Sequence, residues 1–310
     1  MKFELTILGS SSALPTAERF ATAHVLNVHE RFYLIDCAEG TQMQLRRFRI
    51  PMGRIHHIFI SHFHGDHYYG LFGLLSSLNL MGRKVPLHIY GPAELETLLK
   101  QMTPQGESYL FPLVFHTHRY DTLSLLLDTG SLKVYSFPLD HKIPTVGFLF
   151  RESSRELNIR KEKIPEFNLG IKDILRIKTG EDYVTSDGTK IPNRELTLPP
   201  IAPRSYAFCS DTRYNPDYVR FIQDVTLLYH EATYGHLHIE RAKATRHTTA
   251  REAAMIARDA RAGQLVIGHF SARYKSLDPL LDEAREIFPS TIAASDGRTI
   301  SVPSVKVKDH

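Results

Sequence analysis

Residues 61–67 read Ser-His-Phe-His-Gly-Asp-His, and the chain's capacity for chemistry is concentrated there. Imidazole nitrogen and carboxylate oxygen are donors that zinc accepts, so His62, His64, Asp66 and His67 make a metal-ligand set. His62 and His64 alternate and can converge on one ion. Asp66 and His67 lie past the bend, placed for a second ion close by. Gly65, lacking a Cβ, is expected to let the backbone turn between the two pairs. The plain alternative is a histidine-rich surface loop, since a chain with 17 His should contain chance His-x-His pairs. It does, at His116/His118 and His236/His238, but neither pair is followed by Asp-His, and both read as ordinary surface or loop histidines.

The elements around the cluster place it on a strand-to-helix turn, a common location for ligand binding. Ile58, Phe59 and Ile60 read as a buried strand, and residues 68–80 carry apolar side chains at helical spacing. Further strands are expected at 3–8, 25–28, 32–36, 87–90, 132–137, 145–150, 206–209, 226–229 and 265–268. Helices are expected at 41–48, 93–102, 250–262 and 279–288. Strands alternating with helices in both halves predict an α/β fold with two packed sheets and helices outside. Three more candidate ligands fall at predicted strand ends: His141 after Asp140, Asp211, and His269. Thr212 is placed to hold the Asp211 carboxylate.

A chain of 310 residues with 42% hydrophobic and 23% charged residues suits one large globular domain. The first residues alternate like a strand rather than a signal peptide, and no run is long enough to span a membrane. Two cysteines, Cys37 and Cys209, give no disulfide framework and fit a reducing cytoplasm. A net charge of +4 and a pI near 8.9 are compatible with a nucleic-acid partner without demanding one. Residues 151–196 break the pattern with 10 Lys/Arg, 9 Asp/Glu and turn signals at 168–170 and 186–188. That stretch reads either as a solvated charged loop or as an inserted arm that holds a substrate or partner.

Several stretches together resemble the metallo-β-lactamase superfamily and, within it, the short-form ribonuclease Z (tRNase Z) family. They are residues 6–10, 36–42, 61–67 with 70–75, Cys209-Ser210-Asp211-Thr212, His230-Glu231-Ala232-Thr233, His247-Thr248-Thr249 and 268–274. The His-x-His-x-Asp-His element specifies only the superfamily; His-Glu-Ala-Thr and His247 narrow it. The resemblance implies an αββα sandwich holding two zinc ions per subunit. One ion would sit on His62, His64 and His141, the other on Asp66, His67 and His269, with Asp211 bridging. It implies a zinc-dependent endoribonuclease that removes the 3′ trailer from precursor tRNA by water attack, leaving a tRNA 3′-hydroxyl and a trailer 5′-phosphate. The catalytic set would be Asp66 as proton acceptor, His247 as proton donor or phosphate contact, and Glu231 orienting His247. The 151–196 arm would grip the tRNA elbow from one subunit of a cytoplasmic homodimer while the other subunit cuts.

Read without the resemblance, Glu231 is a carboxylate paired with a base such as Arg241, and His247 is a neighbour of a helix cap near Thr249. The chain departs from the family in two places. Residues 169–173 lack the Gly-Pro motif usual in the arm, and Arg19 is followed by Phe20 where an Arg-Asn pair is usual. The rival readings are another hydrolase of the same fold (a small-molecule phosphodiesterase or glyoxalase-type thioesterase) and a non-catalytic zinc-dependent RNA-binding protein. The former has no use for a long arm. The latter fits poorly with seven ligands shared by two ions, because a structural zinc is normally closed by four protein ligands.

Overall fold

Short runs of β-branched and aromatic residues, cut by turns, build the sheets that carry the site. The computed structural model describes residues 2–14, 16–102, 109–154, 156–198 and 202–304. The first sheet contains β1 (Phe3–Gly9), β2 (Ala23–Val28), β3 (Arg31–Ile35), β4 (Ile55–Phe59), β5 (Leu87–Gly91) and β6 (Leu113–Thr117). The second is opened by β7 (Ser124–Asp128), β8 (Leu132–Leu139) and β9 (Thr145–Glu152). After a small hairpin of β10 (Tyr183–Val184) and β11 (Lys190–Ile191), it is completed by β12 (Ser205–Cys209), β13 (Leu227–Glu231), β14 (Gln264–Gly268) and β15 (Thr291–Ala293). The chain then crosses back, and β16 (Thr299–Ser301) pairs with β1. The orders are β16-β1-β2-β3-β4-β5-β6 and β15-β14-β13-β12-β9-β8-β7. Both sheets are mixed, with parallel blocks β3 to β6 and β12 to β15.

The inner faces meet in an aromatic core that includes Phe3, Tyr33, Phe59, Phe148, Phe150, Phe208 and Tyr229. Burial of such side chains is the main driving force for the sandwich. Leu45, Leu71, Leu74, Leu75 and Leu78 from the helices Thr41–Arg47 and Gly70–Leu80 cover the outer face of the first sheet. Ala250, Ala253, Ala254 and Ala257 of helix Ala250–Asp259, with Leu280 and Ala284 of helix Asp278–Ile287, pack with the second sheet. The result is the expected αββα sandwich. Strands β6, β7, β10, β11, β15 and β16 are additions to the sequence reading. Residues of β6 are half-buried along its length and β7 is an edge strand, so neither alternates sharply. The last two have three residues each.

The insertion begins later than the sequence indicated. Arg151 and Glu152 belong to β9, where Arg151 pairs with Lys133 and Ser205. Beyond them the chain folds into its own unit around Leu169, Ile177 and Leu196, with short helices Lys163–Glu166, Ile171–Lys178 and Asn193–Leu196. Its apolar residues come singly among charges, which is why the composition looked loop-like. Both turn signals hold: Asn168 and Gly188 have φ of 49° and 87°. The stretch lacking the Gly-Pro motif forms a helix start, where Gly170 N–H donates to Asp173 Oδ2 at 3.0 Å. At the arm's neck the buried Arg204 donates to both oxygens of Glu152, at 2.7 and 2.9 Å, and His29 Nε2 lies 2.6 Å from Glu152 Oε1.

Candidate metal centre

Five strands end at one edge, and each hands the centre a residue or a short loop that carries one. The segment after β4 supplies His62, His64, Asp66 and His67, and the segment after β8 supplies His141. Asp211 follows β12, Glu231 closes β13, and His269 follows β14. Two four-residue groups result, each with its ligand atoms within 4.8 Å of one another: His62, His64, His141 and Asp211, and Asp66, His67, Asp211 and His269. Asp211 belongs to both, one oxygen to each. Its Oδ2 lies 3.7 Å from His62 Nε2 and 3.8 Å from His141 Nε2, while its Oδ1 lies 3.4 Å from His67 Nε2 and 3.1 Å from His269 Nε2. Asp66 Oδ2 approaches the same His67 and His269 nitrogens at 3.4 and 3.7 Å. His64 faces His62 Nε2 through its Nδ1 at 3.0 Å.

The outer nitrogens of the histidines are tethered, which fixes their tautomers. His67 Nδ1 donates to Asp36 Oδ2 at 2.7 Å, and His141 Nδ1 donates to the Arg246 carbonyl at 2.8 Å. Ser61 N and Oγ donate to the same Asp36 carboxylate, so Ser61 Oγ is an acceptor for His62 Nδ1 at 3.0 Å. Thr233 Oγ1 donates to Glu231 Oε2 at 2.7 Å and accepts from His269 Nδ1 at 2.9 Å. Four imidazoles thus present bare Nε2 lone pairs inward. His67 Nε2, His269 Nε2 and Asp211 Oδ1 are buried without a hydrogen-bond partner. A divalent cation is the partner that N and O donors in this arrangement fit.

Electrostatics agree. Burial, with neighbouring imidazoles, holds His62 well below the ordinary histidine range, and burial likewise lowers His64 and His141, keeping them in the neutral ligand form. Burial would lower His67 too, but the carboxylates of Asp66, Asp211 and Asp36 reverse this and raise it, the mark of a pocket that wants positive charge. Burial raises Asp211, and the His269 and His67 imidazoles more than compensate, leaving it well below the carboxylate range.

Glu231 is fully buried and accepts five hydrogen bonds. The donors are Thr212 N, Thr248 N and His247 Nδ1 to Oε1, at 3.1, 3.1 and 2.9 Å, and Thr233 N and Oγ1 to Oε2, at 3.0 and 2.7 Å. The His247 ring lies 5.0 Å from that of His141 and 5.4 Å from that of His269, between the two groups. Burial alone would lower His247, but the Glu231 and Asp211 carboxylates push it up to about 9. A bound dication nearby would draw it back down.

All nine expected site residues therefore lie together, and three details of the sequence reading change. Thr212 does not hold Asp211: its N–H goes to Glu231 and its hydroxyl to the Arg213 carbonyl at 2.9 Å. Of the two partners weighed for Glu231, it is His247 that the carboxylate contacts. Gly65 turns the chain without a positive φ, and the ring that an added Cβ there would meet, at 2.1 Å, belongs to the exposed Tyr69. His118 is no surface residue: just past β6 it is buried and donates from Nε2 to the Ile60 carbonyl at 2.7 Å. Asp36, Ser61, Thr233 and the Arg246 carbonyl escaped the sequence reading, although Asp36, Ser61 and Thr233 lie in stretches that carried the resemblance. Phe20 packs on Gly40, whose added Cβ would meet its ring at 2.5 Å, and Arg19 Nη2 donates to the Tyr274 carbonyl at 2.9 Å.

Comparison with known proteins gives a consistent picture. A family model described as "Anti-Pycsar protein Apyc1" matches residues 3–109, less than half of the chain. A protein of Phocaeicola vulgatus named Ribonuclease Z is 46% identical over 309 residues, covering 98% of this chain and 99% of its own. Human tRNase Z, short form, superposes with a TM-score of 0.70 at 28% identity, over 97% of this chain and 99% of that one. The metallo-β-lactamase fold protein YhfI of Bacillus subtilis superposes with a TM-score of 0.69 at 17% identity, over 97% and 100% of the two chains.

Proposed function

This chain belongs to the ribonuclease Z family, and on that premise we propose how its site cuts precursor tRNA: Asp66 takes the proton of the attacking water and His247 gives one to the leaving oxygen. The protein is an endoribonuclease of tRNA 3′ processing. One observation carries the two-ion reading, the division of the Asp211 oxygens between two ligand groups. His62, His64 and His141 would hold one ion; Asp66, His67 and His269 would hold the other; Asp211 would serve both. Zinc ions so held supply Lewis acidity, neutralising the phosphate and lowering the pKa of water.

The remaining work falls to the protein's own groups. Asp66 is 13% exposed whereas Asp211 is 4% exposed, so of the two carboxylates in its group it is the more open to solvent. It accepts the proton of the attacking water. Glu231 fixes His247 through Nδ1, which leaves Nε2 to contact the scissile phosphate or deliver a proton to the departing ribose 3′-oxygen. In-line attack by water leaves a 3′-hydroxyl on the tRNA and a 5′-phosphate on the trailer, and the 2′-hydroxyl takes no part. The arm is read as the tRNA exosite, serving the active site of the other subunit in a cytoplasmic homodimer. Its separate core and its exposed Ile171 and Leu175 beside Lys172 and Arg176 support a contact role. Elemental analysis tests the ion assignment: two zinc ions per chain are expected, with both sites weakened in Asp211→Ala. One ion per chain, or full retention in that variant, would refute it.

A further inference from the structure

A cleft of about 520 Å³ lies beside the metal centre and is not used by the chemistry described so far. One wall is the 138–145 segment that carries His141, and the other is the 215–221 segment, so the cleft opens at a ligand of the first metal group. Its volume lies in the range of sites for small organic groups. Tyr120 and Phe221 line it, and the Arg220 guanidinium carbon stands 4.8 Å from the centre of the Phe221 ring. Such a guanidinium–aromatic pair offers a flat face to a base. Charge is distributed unevenly around it. Asp140 is already engaged by Arg213 at 2.6 Å and Arg246 at 3.4 Å, whereas Lys142 and Arg220 have no ion-pair partner among the described residues. Against these two cations the lining holds one further carboxylate, Asp217.

We propose that this cleft seats the unpaired nucleotide next to the scissile phosphate, with its base on the Arg220–Phe221 face and its phosphate near Lys142 and Arg220. The proposal rests on the tRNA-processing reading above. An A-form stem is far too broad to enter, so only single-stranded nucleotides at the cut qualify. Two do: the discriminator on the 5′ side and the first trailer nucleotide on the 3′ side.

The test uses the full-length zinc-loaded enzyme with three precursor tRNAs: intact, abasic at the discriminator, and abasic at the first trailer position. A small chromogenic phosphodiester serves as the reference substrate. Loss of one of the two bases should lower wild-type kcat/KM about tenfold, the size of one base–aromatic stack, and so identify which nucleotide occupies the cleft. Arg220→Ala should lose a similar factor on intact precursor beyond any loss on the small ester, and should no longer respond to removal of that base. The proposal is overturned if neither abasic substrate is impaired. It is equally overturned if the base and Arg220 penalties multiply in full, or if Arg220→Ala harms the small ester as much as the RNA. A wild-type enzyme that turns over the small ester but cuts no precursor at all would instead fail the tRNA reading, and this proposal with it.

Discussion

His247 shows how much of this site depends on single hydrogen bonds. Its Nδ1 is bound by Glu231 at 2.9 Å, with Thr233 Oγ1 at 3.2 Å, so one nitrogen remains for the substrate. His247→Ala should lower turnover by about 10²–10⁴-fold, the usual worth of a general acid, while elemental analysis still finds the wild-type metal content. Loss of metal in that variant would contradict the assignment. Asp36 acts through His67, and orienting groups of this kind are worth about 10–100-fold in metal affinity. Asp36→Ala should therefore weaken one of the two ions by that factor in a chelator competition titration, and equal weakening of both would count against the pairing. At this scale the candidate ligands were legible because metal chemistry favours His and Asp donors. Asp36, Ser61 and the Arg246 carbonyl were not, because their roles depend on where folding places an ordinary hydroxyl, carboxylate or carbonyl.

Among the elements, the strand ends do the positioning and the backbone bears part of the cost. Asp36, Arg246 and His269 all have positive φ, 52°, 55° and 58°, in a region L-residues rarely adopt. Each lies at the centre, as the His67 tether, the His141 tether and a member of the second His/Asp group. Gly268, just before His269, is tightly packed: a Cβ there would sit 2.4 Å from the Tyr229 hydroxyl. Gly268→Ala should lower both the melting temperature and metal retention. Wild-type values in both would show that the strand end yields freely. The arm's neck gives a pH prediction. Burial raises the Glu152 carboxyl, but hydrogen bonds and charge from Arg204 outweigh it and bring it to about 2, below the ordinary 4.5. Its contribution to stability is therefore complete above about 4.5 and is lost as pH falls toward 2. Urea midpoints of wild type and Glu152→Gln should converge as pH drops through that window, and a constant gap would contradict the sign. The sheets were readable where strands are buried and β-branched. The edge strands β6 and β7 and the short elements inside the arm were not, because half-exposed positions blur the alternation that marks a strand.

The whole molecule is a two-sheet sandwich with a separately cored appendage whose two ends are joined at Glu152 and Arg204. Because the Glu152 N–H already bonds the Arg204 carbonyl at 2.9 Å, replacing the intervening residues with a short linker should leave the sandwich folded. That deletion should collapse precursor cleavage while hydrolysis of a small phosphodiester persists, and retention of tRNA cleavage would rule the arm out as the exosite. No helix among the described residues is long and apolar enough to cross a membrane. Whether two metal ions shared by Asp211 act on a tRNA phosphodiester is decided by mapping the cut on a 5′-labelled precursor tRNA. We expect a single cut after the discriminator, leaving a 3′-hydroxyl and abolished in Asp211→Ala. A cyclic phosphate end, or full activity in that variant, would contradict the account.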